Sequence, residues 1–132
     1  LPEVALGPTE PALRLGGRFW PGPLTLVLPR HPNLPAVVSS TANVGVRIPN
    51  HPVALALLGA AGPMAVSSAN RSGGPNPRTA DEVLNSLGGR IELILDGGRT
   101  PGGQPSTVVD CTGETLRILR AGPIPAEDLE EL

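Results

Sequence analysis

A chain of 132 residues with 39% hydrophobic residues and a formal net charge of −2 has material for one domain with a modest core. One Phe, one Trp and no Tyr make that core aliphatic, and the small negative charge excludes a chain-wide basic footprint for nucleic acid. The single cysteine, Cys111, excludes an internal disulfide and fits a reducing, cytoplasmic compartment, and neither a signal peptide nor an apolar run of membrane-spanning length is present.

The 17 glycines and 17 prolines approach the range of low-complexity chains. They sit between compact apolar runs, however, where they punctuate ordered segments. All ten basic residues are arginine, the side chain best suited to bidentate contacts with phosphate or carboxylate.

Thr9 is predicted to cap a first helix that carries Pro11 in its opening turn, runs through Leu13 and Leu15, and ends at Gly16-Gly17. "RFWPGP" follows as a rigid corner held by Trp20. "PLTLVLP" is a strand between two prolines, with Leu24, Leu26 and Leu28 on one face and Thr25 and Val27 on the other. "NVGVRIP" is a second strand, closed by Pro49. The helix "PVALALLGAAG" is apolar nearly all round and is therefore expected to be buried on more than one side.

"MAVSS" is predicted as a third strand, opening into a long loop with Gly73-Gly74, Pro75 and Pro77. Thr79 and Glu82 have capping-box spacing for a helix that ends at Gly88-Gly89. "IELIL" is a fourth strand, closing in the turn at Asp96. "STVVDC" and "TLRILR" are a fifth and sixth, joined as a hairpin through Thr112-Gly113. The acidic end, "PAEDLEEL", reads as the first turns of a helix. The fold class expected is α/β (mixed α+β), a twisted mixed sheet flanked by helices, in one domain over 1–132.

Several residue types invite a functional reading. An arginine in an apolar run, Arg47, needs either a protein carboxylate or an anionic substrate. Ser67, Ser68 and Asn70 stand at the end of a predicted strand, where ligands gather in open α/β sheets, or else simply close a turn. His31 and His51 are each followed by proline and lack metal-ligand spacing, so no metal site is predicted. Cys111 reads as packing, and Asp96 and Asp110 as turn residues.

The blocks "RFWPGPLTLVLP", "VGVRIPNHPVALALL", "PMAVSSANRSGGPNP", "ILDGG", "PSTVVD" and "LRILRAG", in that order, resemble the YrdC family of threonylcarbamoyl-AMP synthases over nearly the whole chain. The resemblance implies a nucleotidyltransferase that joins ATP, L-threonine and bicarbonate, releases pyrophosphate, and works with Mg²⁺ accompanying ATP. It also implies partner proteins that pass the threonylcarbamoyl group to tRNA. By the same resemblance Arg47, Ser67, Ser68, Asn70, Ser106, Thr107 and Arg120 are the substrate- and ATP-binding residues, with no catalytic residue assigned. The arginines of the Arg71 to Arg78 loop are open to ATP phosphates, to tRNA or to solvent.

The family's threonine-rich N-terminal loop and Lys-x-Arg motif have no counterpart here. The chain is therefore expected to form the C-terminal two-thirds of the family domain, to supply part of the site and to turn over feebly or not at all alone. The competing readings are a tRNA- or double-stranded-RNA-binding module without synthase activity, and an inactive fragment that exposes an apolar face. The synthase reading requires that the named groups converge on one anion-holding hollow.

Overall fold

The computed structural model describes residues 1–100 and 104–131. Its elements run α1 (Glu10–Phe19), β1 (Leu24–Pro29), β2 (Asn43–Val46), α2 (Pro52–Ala61), α3 (Ala80–Leu87), β3 (Thr107–Asp110), β4 (Arg117–Arg120) and α4 (Ala126–Glu130). The chain divides into two compact units, Leu1–Pro63 with Gln104–Leu132, and Met64–Gly103.

The first unit is built on a four-stranded sheet in the order β2-β1-β3-β4. β1 pairs antiparallel with β2 and parallel with β3, and β3 pairs antiparallel with β4, with a register irregularity between Val108 and Val109. The sheet is therefore mixed, and the late hairpin forms as its sequence predicts.

Alternation along β1 decides which face is dry. Leu24, Leu26 and Leu28 are all buried to within 1% of full occlusion. They join Val109 and Cys111 of β3, Ala12 and Leu15 of α1, Leu129 of α4 and Ile124. Burial of each leucine contributes about 1.5–3 kcal/mol. Thr25 and Val27 turn to the opposite, half-exposed face.

Local signals account for the helix starts. The Thr9 hydroxyl accepts from the Ala12 amide at 3.4 Å, and an exposed Arg14–Glu10 pair supports the first turns of α1. α1 does not stop at Gly16-Gly17 but continues to Phe19, because Gly16 packs into the core beside Leu15 and tertiary contact overrides its weak helix propensity. His51 caps α2, its Nδ1 accepting from Val53 and Ala54.

α2 corrects the expectation drawn from its composition: none of its residues is buried, although the helix is apolar on every side. Apolar character shows what a helix can bury, whereas burial itself requires an element to pack against. α4 matches the predicted acidic helix as far as Glu130; Leu132, the last residue of that prediction, lies outside the described residues.

The unit Met64–Gly103 contains α3. The Thr79 hydroxyl accepts from the Glu82 amide at 3.2 Å, while Glu82 reaches back to the Arg78 amide at 2.7 Å, one residue before the cap. The predicted strands Met64–Ser68 and Ile91–Leu95 are not strands. Both lack regular structure apart from a single bridge between Gly88 and Ile91, and Val66 and Leu93 are 85% and 82% exposed. An apolar run becomes a strand only when a neighbouring edge supplies ladder hydrogen bonds, and among the described residues neither segment has one.

Candidate anion-binding site

The face of the sheet turned away from the leucines carries a row of polar groups. Thr25 pairs with Val108, and Val108 with Arg120, which sets these three side by side. Ser106, two residues before Val108, shares their face. Leu26 pairs with Val46, so continuing the antiparallel register by one step places Arg47 opposite Thr25.

Arg120 holds Ser106 with three bonds. Its Nε and Nη2 donate to the Ser106 carbonyl at 3.0 and 2.9 Å, and Nη2 also donates to the Ser106 hydroxyl at 3.1 Å. That hydroxyl lies 2.7 Å from the Thr25 hydroxyl. Arg47 is anchored on the other side, its Nε donating to the Gly22 carbonyl at 3.0 Å.

The "WPGP" corner explains that anchor. The Gly22 amide donates to the Ile48 carbonyl at 2.8 Å, so the corner runs against the end of the Arg47 strand. A Cβ at Gly22 would overlap the Phe19 carbonyl oxygen, so only glycine fits this approach. Trp20 stiffens the same corner, its indole N–H donating to the Leu24 carbonyl at 2.8 Å.

Arg47 is exposed, whereas its apolar surroundings in sequence predict burial. Partial desolvation, and after it the like charge of Arg120, hold its guanidinium below the usual arginine range. The guanidinium remains cationic at any ordinary pH. Among the described residues the ion pairs join Arg14 to Glu10, Arg18 to Glu131 and Arg117 to Asp110, and none involves Arg47 or Arg120. Two like charges thus influence each other without a carboxylate between them, and an anion over this row would relieve the repulsion.

Thr107 points the other way. It is 1% exposed, and its hydroxyl donates to the Ile124 carbonyl and accepts from the Ile124 amide, both at 3.0 Å. Its donor capacity is spent closing the fold on the core side of the sheet. Of the predicted residues in this unit, Arg47, Ser106 and Arg120 share the polar face, and Thr107 does not. Sequence reasoning missed Thr25; its signal was the one hydroxyl on the non-leucine side of β1.

Ser67, Ser68 and Asn70 belong to the unit Met64–Gly103. The two serines are exposed on irregular backbone. The Asn70 side-chain amide donates to the carbonyls of Arg71 and Gly74 at 3.2 and 2.8 Å, closing a turn in which the Gly74 amide donates to the Arg71 carbonyl at 2.8 Å. Two carbonyls facing one amide fix its orientation, since the reverse would oppose oxygen to oxygen. Asn70 Oδ1 is buried with no hydrogen-bond partner among the described residues. Arg71, one of the loop arginines, donates to the Ser86 carbonyl at 3.1 Å.

The remaining polar residues have structural work. Asp96 Oδ1 accepts from the Gly98 amide at 2.9 Å, and Asp110 Oδ1 accepts from the Thr112 amide and hydroxyl at 2.9 and 2.6 Å. These Thr112 bonds hold the Asp110 carboxyl below its ordinary range. Cys111 is buried, and desolvation followed by the nearby Asp110 charge pushes its thiol up to about 11. That thiol is a packing group with little thiolate at neutral pH.

The profile of the Sua5/YciO/YrdC family, described as "Telomere recombination", matches residues 2–122. The chain belongs to this family. It is 46% identical over 132 residues to the threonylcarbamoyl-AMP synthase of Bacillus subtilis, covering 97% of this chain and 38% of that protein. Against the Pyrococcus abyssi synthase the identity is 45% over 125 residues, covering 93% of this chain and 37% of the relative. The structure of P. abyssi Sua5 complexed with L-threonine superposes with a TM-score of 0.90 at 44% identity, covering 97% of this chain and 38% of that one. Escherichia coli YciO superposes at 0.84 with 28% identity, covering 97% and 63%. This member of the Sua5/YciO/YrdC family therefore spans less than two-fifths of the length of the two synthases. No helix among the described residues is long and apolar enough to cross a membrane.

Proposed function

We propose that this chain supplies the arginine-bearing part of a threonylcarbamoyl-AMP synthase site, with ATP, L-threonine and bicarbonate as substrates. The observation that carries this reading is the row Arg47–Thr25–Ser106–Arg120: two cations without carboxylate partners among the described residues, with hydroxyls between them, on the sheet face opposite the leucines. The names of the relatives and the threonine-bound Pyrococcus structure support it.

The chemistry asks for such a surface. The threonine amine attacks bicarbonate to give a carbamate and water. A carbamate oxygen then attacks the α-phosphorus of ATP, the bond to the β-phosphate bridge breaks, and pyrophosphate leaves. ATP and bicarbonate are anionic and threonine brings a carboxylate, so preorganised donors reduce mutual repulsion and hold the labile carbamate in place. Arg120 serves a phosphate, and Arg47 a phosphate or the threonine carboxylate. Asn70, in the unit Met64–Gly103, is proposed as a nucleotide contact on the family resemblance, with its Oδ1 buried in the present arrangement. Ser67 and Ser68 of the same unit are proposed as nucleotide contacts on the same resemblance.

Among the described residues no three His, Cys, Asp or Glu side chains cluster, and Mg²⁺ ordinarily needs only one or two carboxylates beside substrate phosphates. Magnesium belongs to this reading only as a companion of the ATP phosphates. The adenylate product calls for a further protein that transfers the threonylcarbamoyl group to tRNA.

Pyrophosphate release from ATP by the intact protein, measured with and without each co-substrate, tests the reading. Release that requires both L-threonine and bicarbonate is expected. Absence of release, or release indifferent to threonine, would end it.

A further inference from the structure

The Ser106 hydroxyl is 5% exposed in its residue and lies between two polar neighbours, Arg120 Nη2 at 3.1 Å and Thr25 Oγ1 at 2.7 Å. A serine hydroxyl has one proton and two lone pairs. Arg120 has no acceptor, so its bond occupies one of those lone pairs. The contact with Thr25 then decides what Ser106 can still offer. If Thr25 donates, both lone pairs are filled and the Ser106 proton is the group's only remaining capacity. An anion above the row selects this arrangement, because it needs that proton.

Thr25 is well placed to enforce it. The hydroxyl sits on a β-branched side chain at the second residue of β1, where χ1 is stiff. Parallel pairing of Leu24 with Thr107 and of Thr25 with Val108 fixes β1 against the start of β3. The two hydroxyls meet across 81 residues of sequence. Among the described residues Ser106 is the one hydrogen-bonding partner of the Thr25 side chain.

We propose that Thr25 is a positioning residue of this site, its hydroxyl filling the second lone pair of Ser106 so that Ser106 is held as a hydrogen-bond donor toward the anionic substrate. This rests on the synthase reading of the same face. Thr25 itself touches no reacting atom; it acts through Ser106.

The test is a cycle of Thr25→Val, Ser106→Ala and the double variant, with Thr25→Ser as the conservative control, in the intact protein. KM for L-threonine and for ATP, kcat for pyrophosphate release, and thermal unfolding are read for each. Thr25→Val is expected to raise KM about tenfold for the substrate whose KM Ser106→Ala also raises, in keeping with one lost hydrogen bond. Thr25→Ser is expected to stay within about twofold of wild type, and Thr25→Val is expected to add nothing in the Ser106→Ala background.

A Thr25→Val effect matched by Thr25→Ser would overturn the proposal, as would one that persists in full on top of Ser106→Ala or that appears only in unfolding. So would a Ser106→Ala effect on KM with no Thr25→Val effect, which leaves the synthase reading standing. If Ser106→Ala and Arg47→Gln both leave KM for each substrate unchanged, the synthase reading of this face is what fails.

Discussion

Arg47→Gln is expected to weaken binding of the anionic substrate by one to two powers of ten while leaving the fold almost as stable as before. A charge-assisted hydrogen bond is worth about 1.5–3 kcal/mol, and each 1.4 kcal/mol is a factor of ten. The stability side is small because two terms oppose each other. The variant loses the bond from Arg47 Nε to the Gly22 carbonyl, but it also relieves the charge of Arg120 on Arg47. Thermal unfolding should therefore shift by a few degrees at most.

Arg47→Lys is expected to rescue little. Lysine keeps the charge but lacks the Nε donor that ties the side chain to Gly22 and the planar fork that meets an anion with two bonds. Titration of each variant with ATP and with L-threonine checks this. Wild-type affinity in Arg47→Gln, or a loss that tracks unfolding alone, would show that the guanidinium is not a substrate group.

Gly122→Ala is expected to cause the largest loss of stability among single changes at this face. A Cβ there would lie 2.7 Å from the Ser106 carbonyl carbon and 2.8 Å from the Pro105 oxygen, and would overlap the Thr107 amide nitrogen. All three are main-chain atoms at the entry to β3, so no flexible side chain can yield. Overpacking of this kind costs about 1–3 kcal/mol, and a clash with backbone belongs at the upper end. For a chain of this size that is a fall in Tm on the order of 10 °C.

The displaced peptide carries the carbonyl that Arg120 grips with two bonds, so activity should fall together with stability. Gly113→Ala is the matched control, since the nearest atom to its Cβ is the Thr115 oxygen at 3.8 Å, an ordinary contact. Differential scanning of both variants decides the matter. Equal melting temperatures would mean that the close approach at Gly122 is not a constraint.

The parts of this fold legible in the sequence are those set by local chemistry. Thr9 and the Thr79–Glu82 pair mark helix starts because caps act within four residues. β1 is legible because its leucines alternate between flanking prolines, and Asp96 and Asp110 because each carboxylate bonds two residues ahead. What failed depended on neighbours. Met64–Ser68 and Ile91–Leu95 have strand composition without a partner edge among the described residues, and α2 has apolar sides of which no residue is buried.

The site divides along the same line. Arg47, Ser106 and Arg120 could be named from their motifs, but their arrangement could not. Ser106 and Thr107 look equivalent as adjacent hydroxyls until strand alternation sends one to the polar face and the other to Ile124. Thr25 was visible as a polar residue in an aliphatic strand. Its meeting with Ser106 comes from the parallel pairing of β1 with β3, which no short window of sequence contains.

The most direct measurement is NMR observation of the arginine Nε–Hε groups while the protein is titrated with inorganic pyrophosphate and, separately, with L-threonine. An anion seated on the row should move the Arg47 and Arg120 signals together along one saturation curve, with Arg14 and Arg18 of α1 unmoved. Shifts confined to other arginines, with Arg47 and Arg120 silent through saturation by both ligands, would contradict the assignment of this face as the substrate's anion site.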